Sequence, residues 1–235
     1  MTQTSNSTRE VQAAAAPHED RAFYRRALAV VAPLPMLAMG TIWLLTDVVG
    51  GGPFDDILAA ARRQTDTFQA MSWVQMVFFA LLIPAVLAVA AVTRRTAPRL
   101  TAWGVVLTVP GFALGFSNGT GDIGLALITV REDLDPAASR ALAEAWQQEP
   151  NIGISGLLFI IGVVFGLLLL GIALARSGTV PAAFGIALAV GGFTHPFMPT
   201  HELAGIGLYV AAVGFSGASL ALWRMSNDDF APAPL

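Results

Sequence analysis

Residues 152–175 read IGISGLLFIIGVVFGLLLLGIALA, a run of 24 residues without one charged side chain. A helix needs about 20 apolar residues to cross the hydrocarbon core of a bilayer. The whole chain has the same character, since 55% of its 235 residues are hydrophobic, only 12% are charged and the mean hydropathy is +0.65. So few charges could not cover a water-facing surface. The composition excludes a soluble enzyme, a disordered regulator and a nucleic-acid binder, and predicts an integral membrane protein.

Five other stretches have the length and apolar character of a span. The six predicted spans are 27–48, 70–93, 100–118, 152–175, 181–198 and 203–223. We expect a break at 117–122 after the third span, followed by a short helical piece. The sequence thus predicts an all-α, polytopic membrane protein with six transmembrane helices. Residues 1–20 are expected to form a disordered cytoplasmic tail, 21–225 the membrane domain and 226–235 a short cytoplasmic tail.

The distribution of arginine predicts the orientation. All 13 basic residues are Arg, and with the N-terminus inside, eight flank the spans on the cytoplasmic side and four lie in outer loops. This asymmetry favours an N-in, C-in topology. The outer face then carries a net charge of −7 and the inner face, tails included, one of +4.

Each of the two longer outer loops contains the pattern of a short amphipathic helix. One begins near Pro53, with acidic residues in its first turn and Arg62 and Arg63 towards its end, which suits the helix dipole. The other begins with Asp135 as N-cap and Pro136 at the first helical position, and ends before Pro150. We interpret both as connectors floating at the membrane interface, in preference to lids over a pocket.

Glycine spacing predicts close helix packing. Gly111 with Gly115, and Gly162 with Gly166, are four residues apart, a spacing that lets helix backbones approach. Such pairs can join two copies of a chain, but packing within one chain is the preferred interpretation. Residues 104–112 and 185–193 also match at five positions, which indicates either a parallel two-helix repeat or a coincidence of low complexity.

Cysteine is absent, so disulfides, thiolate metal sites and cysteine nucleophiles are excluded. The middle of every predicted span also lacks Asp, Glu, Lys, Arg and His. A proton-coupled carrier or an ion pump normally needs an ionisable group at that depth, which argues against both.

Polar residues gather instead at the outer ends of the spans. The candidate ligand-binding residues are Asp47, Asn118, Asp122, His195, His201 and Glu202. In a compact bundle they could face one outer vestibule. A metal at His195, His201 and Glu202 is chemically possible, although the six-residue spacing of the histidines is not that of a metalloprotease helix. The plainer interpretation is that these groups end helices and meet water and headgroups, and a third is a pocket for a small ligand or lipid headgroup.

One segment resembles a known family. Residues 166–171 form a glycine-flanked leucine run, followed by Arg176-Ser177-Gly178, Pro181 and Gly185. This pattern is similar to that of a family of uncharacterised bacterial six-span membrane proteins. The resemblance covers about 30 residues; it implies the six-span fold and an inner-membrane location and names no reaction. The histidines lie outside the pattern, so no functional residue is carried over.

The functional expectation is therefore a plasma-membrane protein that binds a small ligand, a lipid or a partner subunit at its outer leaflet without catalysis. The alternative is a membrane-embedded, metal-dependent enzyme that uses the outer His, Asp and Glu residues. No cofactor is expected, the partners are the bilayer and either a second copy or another membrane subunit, and no nucleic acid is bound.

Overall fold

The computed structural model describes residues 20–46, 52–194 and 197–230, without the side chains of 116–120. Throughout these ranges the regular elements are helices. Their bounds are α1 20–31, α2 Leu34–Leu45, α3 Phe54–Arg63, α4 Thr65–Thr93, α5 Pro98–Arg131, α6 Pro136–Gln148, α7 Pro150–Ile161, α8 Leu167–Arg176, α9 Ala182–Thr194, α10 His201–Arg224 and α11 Asn227–Phe230. A π-helical turn, Gly162–Gly166, joins α7 to α8 in one continuous rod.

Four helical rods in the described chain are long and apolar enough to cross a membrane. They are Asp20–Leu45, which comprises α1 and α2 with a turn at 32–33, then Thr65–Thr93, Pro150–Arg176 and His201–Arg224. Pro33 lies in the turn, where its missing N–H costs least. Helix α9 is apolar but has only 13 residues.

The predicted break after the third span is wrong. Helix α5 is continuous from Pro98 to Arg131, and its 34 residues correspond to a length of about 51 Å. Glycine and serine lower helix propensity by at most about 1 kcal/mol each, so packing on either side can hold the helix together. Ile123, Ala126 and Leu127 supply that packing beyond the polar stretch, because all three are buried.

The middle of the bundle is filled by aromatic side chains. Phe159 lies with its ring centroid 6.2 Å from both Phe79 and Phe112, and Phe78 contacts Phe79 edge to face. The cavity beside these rings is about 10 Å³, close to the minimum that holds one water molecule. The described core therefore has no room for a ligand at this level.

Glycines bring α5 against the π-helical turn, backbone to backbone. A Cβ atom on Gly162 would lie 2.7 Å from the carbonyl oxygen of Leu107 and 2.8 Å from the Cα of Gly111. Gly115 packs on the ring of Phe159 and Gly166 on Thr108. The prediction that these glycines serve packing within the chain is confirmed.

The two matched sequence segments lie against the same rod. Gly104 packs on Leu170 of α8, and Gly185 packs on Gly171 and Ala175 of the same helix. Their final phenylalanines differ, since Phe112 is 1% exposed and Phe193 is 52% exposed. Two helices from the matched segments thus flank the 150–176 rod, with different surroundings at their far ends.

A second hydrophobic core lies apart from that of the bundle. It is formed by α3, α6, the first turns of α4 and the last turns of α5, and we call these residues (54–71, 123–131 and 136–148) the dome. Its largest buried side chains are Phe54, Ile57, Leu58, Phe68 and Met71. The interpretation of α3 as a connector floating at the interface is wrong, because its apolar face is covered by the protein itself.

At the opposite end of the bundle, arginines join the helix ends, and we call this the arginine end. Arg25, 8% exposed, donates from Nη1 to the carbonyl oxygen of Leu222 at 2.5 Å and from Nε to Asn227 at 3.1 Å. It thereby satisfies a free carbonyl in the last turn of α10. Arg94 bonds to the carbonyl of Phe230, and Arg95 pairs with Asp229 at 3.0 Å, so α11 is docked on the α4–α5 turn.

Candidate functional site

The structure describes half of the predicted site residues in full. Asp47 and His195 lie outside the described residues, and the side chain of Asn118 is also outside them. Asp122, His201 and Glu202 are described. The structure therefore describes the predicted vestibule at these three side chains only.

Asp122 is a buried carboxylate where α5 leaves the bundle and enters the dome. It is 7% exposed, and its Oδ2 accepts a hydrogen bond of 2.8 Å from Nε2 of Gln147 on α6. Arg25 and Asp122 are the only ionisable side chains buried in the described part of the chain. A buried carboxylate that accepts a hydrogen bond is less costly than a bare one, so this contact helps to hold α6 against α5.

His201 and Glu202 begin α10 and contact one another. Nε2 of His201 lies 3.2 Å from Oε1 of Glu202, and Glu202 is more than half exposed. The N-cap is Thr200, whose hydroxyl accepts from the backbone N–H of Leu203 at 3.4 Å. Glu202 does not cap the helix, but its charge in the first turn suits the helix dipole.

The structure gives Asp122 and the His201–Glu202 pair different surroundings. Helix α5 packs against α3, α4, α6 and α7, whereas α10 packs chiefly against α2 and α9. Within the ranges that the structure describes, no three His, Asp or Glu side chains are grouped closely enough to hold a metal ion. The predicted metal set has two described members, and its third, His195, is outside the description.

A polar cleft opens between α3 and α6, and we call it the dome cleft. It has a volume of about 190 Å³. Its lining residues are Gly52, Pro53, Phe54, Asp55, Arg140, Ala143, Glu144 and Gln147. Through Gln147, the lining is joined to the buried Asp122.

An ion pair bridges the two helices that form the cleft. Oδ1 of Asp55 lies 2.6 Å from Nη2 and 2.8 Å from Nε of Arg140, so the guanidinium approaches it with two nitrogens. Both side chains are about half exposed, so the pair contributes about 0–1 kcal/mol to stability.

Helix α6 is held largely by polar contacts. Asp135 accepts from the backbone N–H groups of Ala137 and Ala138, as the predicted N-cap requires. Thr129 on α5 donates to Ser139 at 2.9 Å in a buried contact. Leu142 is 58% exposed, and Trp146 is 46% exposed although its indole lies beside Gly121 of α5. One face of this helix therefore meets the dome, and another offers apolar side chains to the surroundings.

Sequence reasoning misses most of the cleft. The sequence pattern relates Asp55 only to the helix dipole, and it gives Arg140, Glu144 and Gln147 no role. Charge complementarity between the polar faces of the two loop helices is the one signal that could have paired Asp55 with Arg140. The described lining carries three charged side chains, Asp55, Arg140 and Glu144.

Fold and cleft together define the class: an all-helical chain with four helices of membrane-crossing length and a small polar cleft in a separate dome. No family model matches the chain, and neither the curated proteins nor the solved structures contain a significant match to it.

Proposed function

We propose that the chain is a bacterial plasma-membrane protein with six crossings, the arginine end inside and the dome outside. Helix α5 and the short α9 would add two crossings to the four rods of membrane-crossing length. Aromatic side chains exposed near both ends of the bundle support this, as such residues favour the membrane interfaces. Trp103 and Trp223 lie towards the arginine end, and Trp73 and Trp146 towards the dome.

The distance between these levels suits a bilayer. Trp73 and Arg94 are 21 residues apart along one helical axis, which corresponds to about 31 Å. The hydrocarbon core is about 30 Å thick. By the same measure α5 is too long to lie within the core, so its last turns project with the dome into water. The resemblance of residues 166–185 to the six-span family supports the same arrangement.

We infer that the dome cleft binds a small polar ligand without catalysis, and the observation that carries this is the cleft itself. It is lined in part by the charged side chains of Asp55, Arg140 and Glu144, lies outside the bundle, and is bounded by two helices with a shared core. Its volume of about 190 Å³ is below the roughly 300–1,000 Å³ of drug-sized sites, so the ligand is small.

The charges of the cleft favour a ligand with an amino or guanidino group. Asp55 and Glu144 line it and Asp122 lies behind Gln147, against one arginine, Arg140. A cationic group could pair with Glu144 while a carboxylate of the same molecule met Arg140. A small amino acid or a short amine has this chemistry. A lipid headgroup or a partner subunit at the exposed edge of α6 is the alternative occupant.

A thermal-shift experiment tests the binding proposal. Purified protein in detergent is heated with millimolar amino acids or amines, and a binder raises the unfolding temperature with concentration. The Glu144→Gln variant should lose the shift, whereas Glu149→Gln, an exposed acid just beyond the same helix, should keep it. If no compound stabilises the protein, or if Glu144→Gln retains the full shift, the dome cleft is not the ligand site.

A second candidate is a metal-dependent enzyme, supported by the contact of His201 with Glu202. Its ligands would be His195, His201 and Glu202, since imidazole and carboxylate suit zinc. Elemental analysis of purified protein tests it. Stoichiometric zinc, iron or copper that disappears in His195→Ala would support the enzyme. Protein that is active without metal would exclude a metal-dependent enzyme.

A further inference from the structure

An open strip on one face of α1 combines an exposed arginine with apolar side chains. The strip consists of Ala22, Phe23, Arg26, Ala27, Val30 and Val31, and the space beside it is about 610 Å³. Phe23, Arg26 and Val30 are exposed. We call these six residues the α1 strip.

The neighbouring residue fixes the depth of Arg26. Arg25 bonds to Leu222 and Asn227 where α10 ends, and the exposed Trp223 lies at that same level. Tryptophan favours the boundary between headgroups and hydrocarbon. Arg26 is therefore at the headgroup level of the arginine end, with Val30 and Val31 one to two turns deeper.

The charge of Arg26 is not matched by an acid of the strip. Arg95, at the same end, pairs with Asp229, and Arg25 donates to the carbonyl oxygen of Leu222 and the amide oxygen of Asn227. All six residues lining the strip are apolar except Arg26 itself. A guanidinium beside an apolar groove offers paired N–H donors of the geometry that binds phosphate.

We propose that the α1 strip binds an anionic phospholipid, with the phosphate on Arg26 and an acyl chain along Ala27, Val30 and Val31. From Arg26 to Val31 the strip spans five residue steps, about 7.5 Å along the helix, which is about half the thickness of one leaflet. A second copy fits less well, because a two-fold contact at this strip would place Arg26 against Arg26. The proposal depends on the membrane location and is independent of the dome cleft.

Native mass spectrometry of the full-length protein tests this. The wild type, purified in mild detergent, is titrated with phosphatidylglycerol or phosphatidylcholine, and retained lipid is counted on each charge state. We expect preferential retention of phosphatidylglycerol, and in Arg26→Gln a fall in its apparent affinity of about fivefold, the effect of one basic group near anionic headgroups. Arg99→Gln is the matched control, because Arg99 is an exposed arginine at the same end outside the strip.

Three outcomes would overturn the proposal. Equal losses in Arg26→Gln and Arg99→Gln would show that the lipid responds only to overall charge. Equal retention of the two lipids by the wild type would show that no anionic headgroup is selected. A wild-type dimer that dissociates in Val30→Ala, without a change in bound lipid, would assign the strip to a second copy. Val30→Ala should weaken retention of both lipids slightly and serves as a variant that folds with the charge intact.

Discussion

At the scale of single residues, the contact between Gly111 and Gly162 shows why certain positions in the bundle admit no side chain. The atoms that a Cβ on Gly162 would meet are backbone atoms of α5, which cannot rotate away. Overpacking of this kind costs about 1–3 kcal/mol.

The Gly162→Ala variant is therefore expected to unfold at a lower temperature than the wild type in detergent. Gly153→Ala is the matched substitution, since a Cβ there meets nothing within 4 Å. It should be neutral or slightly stabilising, because alanine is the better helix former. Thermal unfolding followed by circular dichroism distinguishes the two, and equal behaviour would contradict the glycine contact.

Arg25 provides a second test at this scale. Removing a charged donor from a buried carbonyl costs about 1.5–3 kcal/mol. Arg25→Gln should lower the free energy of unfolding by that amount, whereas Arg99→Gln, an exposed arginine, should change it little. Chemical denaturation of both variants measures the difference, and similar stabilities would mean that the contact with Leu222 adds nothing.

The sequence predicted that Arg25 lies at a membrane boundary but not that it is buried. Its acceptors are 197 and 202 positions away in the chain, so no local pattern reveals them. Asp135 shows the opposite case. Its role as an N-cap depends on the two N–H groups that follow it, and was predictable because the interaction is local.

At the scale of elements, α11 is a short helix docked by charge. Ser226 donates to Oδ2 of Asp229 at 2.7 Å and accepts from its backbone N–H, which closes a reciprocal cap. The hydrogen bond from Ser226, and then that from Arg95, lowers the pKa of Asp229 below its usual range.

Docking of α11 should therefore depend on pH. Because the pKa of Asp229 is lower in the docked state, its contribution is complete above the ordinary Asp range and is lost as pH falls through the lowered value. Hydrogen exchange at residues 226–230, corrected for its intrinsic pH dependence, should accelerate in acid. Asp229→Asn should exchange fast already at neutral pH, and an unchanged rate in that variant would contradict the docking contact.

Helix α6 is the element that limits access to the dome cleft. Exchanging the charges of its bridge, with Asp55→Arg and Arg140→Asp together, should keep α6 in place, while either single change places like charges together. We expect each single variant to speed cleavage within 132–150, by a protease that does not cut at arginine, by up to about fivefold, the effect of an exposed pair. The double variant should return towards the wild type, and equal rates in all four proteins would mean that the bridge does not hold α6.

Sequence patterns were reliable for the start of α6 and unreliable for the ends of α5. The stretch 117–122 looks like a break because its residues favour turns. The helix continues because α3 and α6 cover its last turns, which is a tertiary effect. The same effect buries the apolar face of α3, and an amphipathic pattern alone does not distinguish lipid from protein as the covering surface.

At the scale of the whole molecule, the described chain has two hydrophobic cores, one in the bundle and one in the dome. The bundle core contains the aromatic side chains and glycine contacts, and the dome core contains the buried residues of α3, α6 and the adjoining ends of α4 and α5. Composition alone predicted the first. The second needed the fold, because its buried residues come from four separate segments of the chain, namely Ile42 of α2 and positions 54–71, 123–127 and 143.

In the proposed arrangement, the dome and the arginine end lie on opposite sides of the membrane, with the dome outside. Since the chain has no cysteine, single cysteines report position directly. Ala59, exposed on α3, and Thr179, exposed in the turn before α9, mark the two ends. Ala60, the neighbour of Ala59, is unsuitable because it is fully buried.

The decisive measurement is labelling of intact cells with a membrane-impermeant maleimide. Ala59→Cys is expected to react in intact cells, and Thr179→Cys only after lysis. If only Thr179→Cys is labelled in intact cells, the orientation is the opposite of the one proposed. If both variants are labelled in intact cells, the membrane-crossing arrangement itself is contradicted.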